Sequence, residues 1–126
     1  MTVFDESAVR RLESDTQSVE FVHSLVSTYR RMLDDRVARI LDALEQADTD
    51  RALDAAHSLR VSSIMTGLVE TAEIATGVTE ALRAADLGRA REHGALLPDA
   101  AVRAAAALSE YLDEDAHAQE STDSIR

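Results

Sequence analysis

Four histidines, at positions 23, 57, 93 and 117, offer this 126-residue chain its richest chemistry. A neutral imidazole is nucleophilic near pH 7 and is also a common metal ligand. His57 lies in the stretch Ala56-His57-Ser58-Leu59-Arg60-Val61-Ser62-Ser63-Ile64-Met65-Thr66-Gly67. If that stretch is helical, Arg60 stands about 60° round the axis from His57, where its guanidinium could neutralise phosphoryl oxygens carried on the ring. The P–N bond of such a phosphoimidazole stays reactive enough to be passed on. Glu20-x-x-His23 and Glu114-x-x-His117 have the Glu-x-x-His spacing of di-metal helical bundles, which need two further inward glutamates as well. His117 falls where a last helix should fray, and Glu20 and His23 flank an apolar stripe, so both pairs read as solvated and no metal site is assigned. His93, beside Gly94, has no evident partner. Ser62 and Ser63 lack an activating base and read as small packing residues, and Tyr29 reads as a core aromatic.

Helical periodicity supplies the frame for these residues. Glu6 to Glu13 reads as a short helix opened by Asp5, with Ala8, Val9 and Leu12 on one side. From Thr16 to Gln46, Val19, Val22, Val26, Tyr29, Leu33, Val37, Ile40 and Leu44 recur at three- and four-residue steps with no Pro or Gly. The turn Ala47-Asp48-Thr49-Asp50 ends that spine and caps a third helix reaching about Thr66, with a break at Gly67. Ile74, Val78, Ala81, Leu82 and Ala85 form the apolar face of a fourth helix, and Asp86 to Gly88 turns the chain again. A last helix runs to about Glu114, with Leu97, Ala101, Ala104, Leu108 and Tyr111 inward and a kink or brief break at Pro98.

The expected fold is all-α: an antiparallel up-down-up-down four-helix bundle with a short N-terminal capping helix, over residues 1–115, followed by a disordered polar tail at 116–126. Composition agrees, since 45% of residues are hydrophobic but only 3% aromatic, which favours tight helix-on-helix packing. A formal charge of −11 repels nucleic acid and anionic membranes. The absence of cysteine excludes disulfides and thiolate chemistry. With no leader-like start and no membrane-length apolar run, the expected compartment is the cytoplasm. The pairs Arg10-Arg11 and Arg30-Arg31 read as solvated, with helical salt bridges to nearby acids.

The stretch around His57 resembles the signature of histidine-containing phosphotransfer (HPt) domains. That signature has an Ala-His pair, a leucine two residues after the histidine, a basic residue three after, small residues five and six after, and a glycine ten after. Leu59, Arg60, Ser62, Ser63 and Gly67 fill those places. The order of elements is similar too, so the resemblance spans nearly the whole chain. It implies a carrier more than an enzyme, with His57 as phosphoacceptor and Arg60 steadying the phosphate. The implied partners are a response-regulator receiver domain, which brings the aspartate and Mg²⁺, and a hybrid histidine kinase; this chain binds no cofactor of its own and is expected as a monomer. Arg60 replaces the family's usual lysine and keeps the charge. Val61 replaces its usual glycine, and puts a branched side chain one turn from His57 where a receiver would approach.

Two orientations of this helix compete on periodicity. Leu53, Val61, Ile64 and Leu68 all lie within about 40° of His57 on an ideal helix. In one reading that side is the core and His57 is a packed side chain. In the other, Ala56, Leu59 and Ser63 pack inward, while Val61, Ile64 and Leu68 ring an exposed His57 as a docking patch. The signature favours the second. The expectation is therefore a phosphorelay carrier taking a phosphoryl group from one receiver and giving it to another. The alternatives are a degenerate HPt-like adaptor that binds a receiver or kinase without being phosphorylated, and a structural bundle dimerising through its His57 side.

Overall fold

The computed structural model describes the backbone of residues 2–124 and the side chains of residues 2–116. Its helices are α1 (Glu6–Thr16), α2 (Val19–Glu45), α3 (Thr49–Thr66), α4 (Val69–Arg83), α5 (Leu87–Gly94) and α6 (Leu97–Ser124). Helices α2, α3, α4 and α6 form the antiparallel bundle: α2 packs on α3 and α6, and α4 closes the ring against the same two. Helix α1 lies across α2 and α3, and α5 fills in against α2 and α4. Among the described residues, no helix is long and apolar enough to cross a membrane.

Each boundary has a local cause. Asp5, Ser18, Asp48 and Asp86 accept hydrogen bonds from Ser7, Phe21, Arg51 and Arg89 backbone N–H groups, satisfying donors that a helix start leaves free. Thr16 ends α1 instead of opening α2, because Gln17 turns left-handed at φ 55 and Ser18 then caps the next helix. Ala47 and Ala85 adopt the same conformation, at φ 56 and 57, to make the turns after α2 and α4.

Two expectations about the C-terminal third are corrected. The expected single last helix is two, α5 and α6, separated at Ala95-Leu96. Of the kink or brief break expected at Pro98, the structure shows the break, two residues ahead of the proline. Pro98 itself occupies the first turn of α6, where a missing N–H costs nothing. Helix α6 also runs on past Glu114, so the backbone of the expected tail at 116–126 is helical as far as Ser124; the side chains of residues 117–126 lie outside the described residues.

The core is mainly aliphatic. Leu33, Ile40, Leu59, Leu97 and Leu108 are fully enclosed, and Ala100, Ala101 and Ala104 let α6 come close to its neighbours. Arg91 of α5 donates to the carbonyls of Leu44 and Glu45, the free acceptors at the end of α2. His93 finds its partner in α4, its ring lying so close over Gly77 that a Cβ there would sit 2.9 Å from Nδ1.

Gly67 closes α3 in the left-handed region at φ 76, with its own N–H bonded to Ile64 and that of Leu68 bonded to Ser63. The Asp5 N–H donates to the Gly67 carbonyl at 2.7 Å, and a Cβ on Gly67 would lie 2.2 Å from the Asp5 carbonyl oxygen. Only a glycine lets α1 dock on the end of α3 in this way.

Candidate functional site: the outer face of α3

Helix α3 turns Ala52, Ala56, Leu59, Ser63 and Thr66 into the bundle and leaves His57 exposed near its middle. Val61 (42% exposed) and Ile64 (54%) share the outer face with it. Of the two orientations allowed by periodicity, the structure adopts the one with the imidazole outward.

Leu68 departs from that set. It is 0% exposed, and its expected place in a docking patch is corrected. The helical angle that put it beside His57 applies only while the helix continues; Gly67 ends α3, and Leu68 turns inward as the residue before α4. Met65, half exposed, takes a place on the outer surface instead, a residue the periodicity did not single out.

Arg60 is half-buried and reaches toward α4, where its Nε donates to Thr76 Oγ1 at 3.0 Å. Thr76 commits its own proton to the Ala72 carbonyl at 2.8 Å, so its oxygen is left as an acceptor and fixes which guanidinium nitrogen it holds. The terminal nitrogens of Arg60 have no hydrogen-bond partner among the described residues.

A second arginine borders the same face from α2. Arg36 Nη1 donates to Ser58 Oγ at 3.3 Å and Ser62 Oγ at 3.2 Å, and its guanidinium lies 5.6 Å over the Tyr29 ring. Tyr29 and Ser63 share a buried 2.8 Å hydrogen bond. Burial pushes the Tyr29 hydroxyl up from its ordinary value, against the opposing pull of Ser63 and Arg36, so it stays neutral. Sequence reading passed over Arg36. A charged residue interrupting the inner edge of the α2 stripe, four after Met32, was the available signal.

His23 is half-buried, not the freely solvated side chain expected. Its Nε2 lies 2.6 Å from Asp115 Oδ2, and its ring meets Tyr111 edge-on. Glu20, exposed, is not part of the group; Glu13 is, accepting from the Tyr111 hydroxyl. Glu13, His23 and Asp115 bring ligand atoms within 4.8 Å of one another, but Arg10 already serves as their cation, bonded to Glu6, Glu13 and Asp115. Arg10 chiefly, then His23, holds the Asp115 carboxyl below the usual carboxylate range. Burial first, and then Glu13, raises the Tyr111 hydroxyl. This group buckles α1, α2 and α6 together. Arg30 is likewise half-buried, tying α2 to α6 through Ser109. His117 of the second Glu-x-x-His pair lies outside the residues with described side chains.

Residues 24–118 match the family model described as the Hpt domain. In structure the chain is similar to the HPT domain of the Hpt sensor hybrid histidine kinase from Shewanella, with a TM-score of 0.73 and 18% sequence identity, over 89% of this chain and 95% of that one. No curated protein matches the sequence.

Proposed function

The chain belongs to the Hpt domain family, a family of phosphotransfer carriers in two-component phosphorelays, and from that premise we propose that His57 is its phosphoacceptor. The observation that carries the reading is the exposed imidazole midway along α3, with its neighbours Ala56 and Leu59 packed inward. An unprotonated ring nitrogen attacks the phosphorus of a receiver's aspartyl phosphate. The bond from phosphorus to the aspartate oxygen breaks, the carboxylate leaves with the electron pair, and a P–N bond forms. A second receiver's carboxylate reverses these steps and collects the group.

Arg60 steadies the phosphoryl oxygens with its terminal nitrogens, while Thr76 holds its Nε. Val61 and Ile64 make apolar contact with the receiver beside the ring. Mg²⁺ belongs to the receiver's acidic site, and both donor and acceptor in this reading are receiver domains. The test is to incubate the chain with a phosphorylated receiver and Mg²⁺ and compare it with His57→Gln. The native chain takes up label and the variant does not; equal labelling of both excludes this histidine.

Val61 favours a second reading, an adaptor that docks a receiver or kinase without accepting phosphate, because its half-exposed branched side chain stands one turn from the ring. The same assay separates the two, since an adaptor binds the receiver and takes up no label.

A further inference from the structure

We propose that Arg36 is the anchor for a carboxylate on the surface of the phosphotransfer partner, seated on the opposite flank of His57 from Arg60; this rests on the reading of His57 given above.

Arg36 is held ready for a partner it does not have. Two serine hydroxyls accept from Nη1, and the Tyr29 ring, itself fixed by Ser63, supports the guanidinium from below. Its Nε is buried with no hydrogen-bond partner, and among the described residues no carboxylate pairs with it. Two arginines that line a cavity with it are paired, Arg39 with Asp35 at 3.0 Å and Arg51 with Asp42 at 2.8 Å. A half-buried guanidinium balanced only by hydroxyls and a ring keeps most of its charge available.

The setting says what would meet that charge. Residues 55–69 contain no acid, so α3 from His57 to its end carries no carboxylate; Asp54, one turn before His57, and Asp42 of α2 line a cavity with Arg36 but form no ion pair with it. Leu25, Met32 and Met65 line a shallow groove between α2 and α3, of roughly 140 Å³, with Arg36 at its side. A partner surface fitting this groove is apolar with a carboxylate at its edge, since Nη2, which makes no hydrogen bond among the described residues, can donate to an aspartate or glutamate.

Position separates this role from that of Arg60. Ser58, which Arg36 holds, points about 100° round the helix from His57, while Arg60 points about 60° the other way. Arg36 is thus turned from the phosphoryl group. It is nonetheless within any protein footprint centred on the imidazole, because an interface of about 800 Å² per partner reaches about 16 Å from its centre.

Two phosphoryl donors test the assignment. A phosphorylated receiver with Mg²⁺ must dock, whereas phosphoramidate is a small donor with no surface to dock. Arg36→Met is expected to slow transfer from the receiver at least about tenfold at low salt and to weaken its salt dependence. Arg36→Lys, keeping the charge without the fork, falls between. Labelling of His57 by phosphoramidate is unchanged in both variants, while the melting temperature falls by a few degrees in Arg36→Met as its bonds to Ser58 and Ser62 are lost. Equal slowing with both donors would make Arg36 a structural or phosphate-contacting residue and overturn the proposal, as would unaltered transfer from the receiver. If the native chain takes label from neither donor, the reading of His57 fails and this assignment falls with it.

Discussion

Replacing Gly67 tests how the end of α3 and the capping helix depend on one another. Alanine there meets two separate costs. The first is the left-handed backbone at φ 76, worth about 1 kcal/mol for a residue with a Cβ. The second is the collision of that Cβ with the Asp5 carbonyl oxygen, 2.2 Å away, which forces α1 off the end of α3. Displacing α1 sacrifices the Asp5 to Gly67 hydrogen bond, worth about 1 kcal/mol, and part of the burial of Val9, worth about 1 kcal/mol more. The expected loss for Gly67→Ala is therefore about 3 kcal/mol, or roughly 10 °C in melting temperature for a chain of this size. Gly67→Asn separates the terms, because asparagine tolerates the left-handed region better than alanine yet carries the same Cβ. Urea unfolding of both variants should give similar large losses, with faster tryptic cleavage at Arg10 and Arg11 as α1 lifts. If asparagine restores the stability to within about 0.5 kcal/mol of the native chain while alanine loses only about 1 kcal/mol, backbone strain alone accounts for Gly67 and the collision argument is refuted.

Three further outcomes follow from the same structure. Val61→Gly clears the approach to His57 and should raise the rate of receiver-dependent labelling several-fold, at a stability cost under about 1 kcal/mol for an exposed helix site; no change in rate would show that bulk at this position is not limiting. Asp115 has its pKa lowered in the fold, so its contribution to stability is present above the unfolded carboxylate value of about 4 and is lost as pH falls through the lower folded value. Asp115→Asn should accordingly flatten the acid limb of the stability curve, read by urea unfolding at a series of pH values, and an unchanged limb would count against the buckle. Ala85→Gly relieves a left-handed alanine at φ 57 and should raise the melting temperature by a few degrees, whereas Ala84→Gly, one residue earlier, should lower it.

Much of this architecture is legible in sequence because it is set locally. The stripe from Val22 to Leu44, a cap within Asp48-Thr49-Asp50 and the stop at Gly67 each depend on residues a few positions apart; the structure keeps all three and picks Asp48 as the cap. The outward turn of His57 was not decidable from periodicity, since small inward residues and a larger apolar outer face invert the usual pattern. The resemblance favours the outward orientation that the helical angles leave open, and the structure adopts it. Leu68 shows the limit of those angles, which cannot be carried across a glycine that ends the helix. Pro98 shows that one proline reads either as a kink or as a helix start, and the break before it is made by tertiary packing of α5. His23, Arg30 and Arg36 were misread or missed for one reason: their partners Asp115, Ser109, Ser58 and Ser62 lie on other helices, where no spacing rule reaches.

The buckle at Arg10 closes a span of 105 residues. Contacts so distant along the chain carry the largest loop-closure penalty, whereas the α2–α3 and α3–α4 hairpins join across turns of a few residues. Assembly is thus ordered by reach, with α3 flanked by both quick-forming hairpins and α1 among the last elements to be secured.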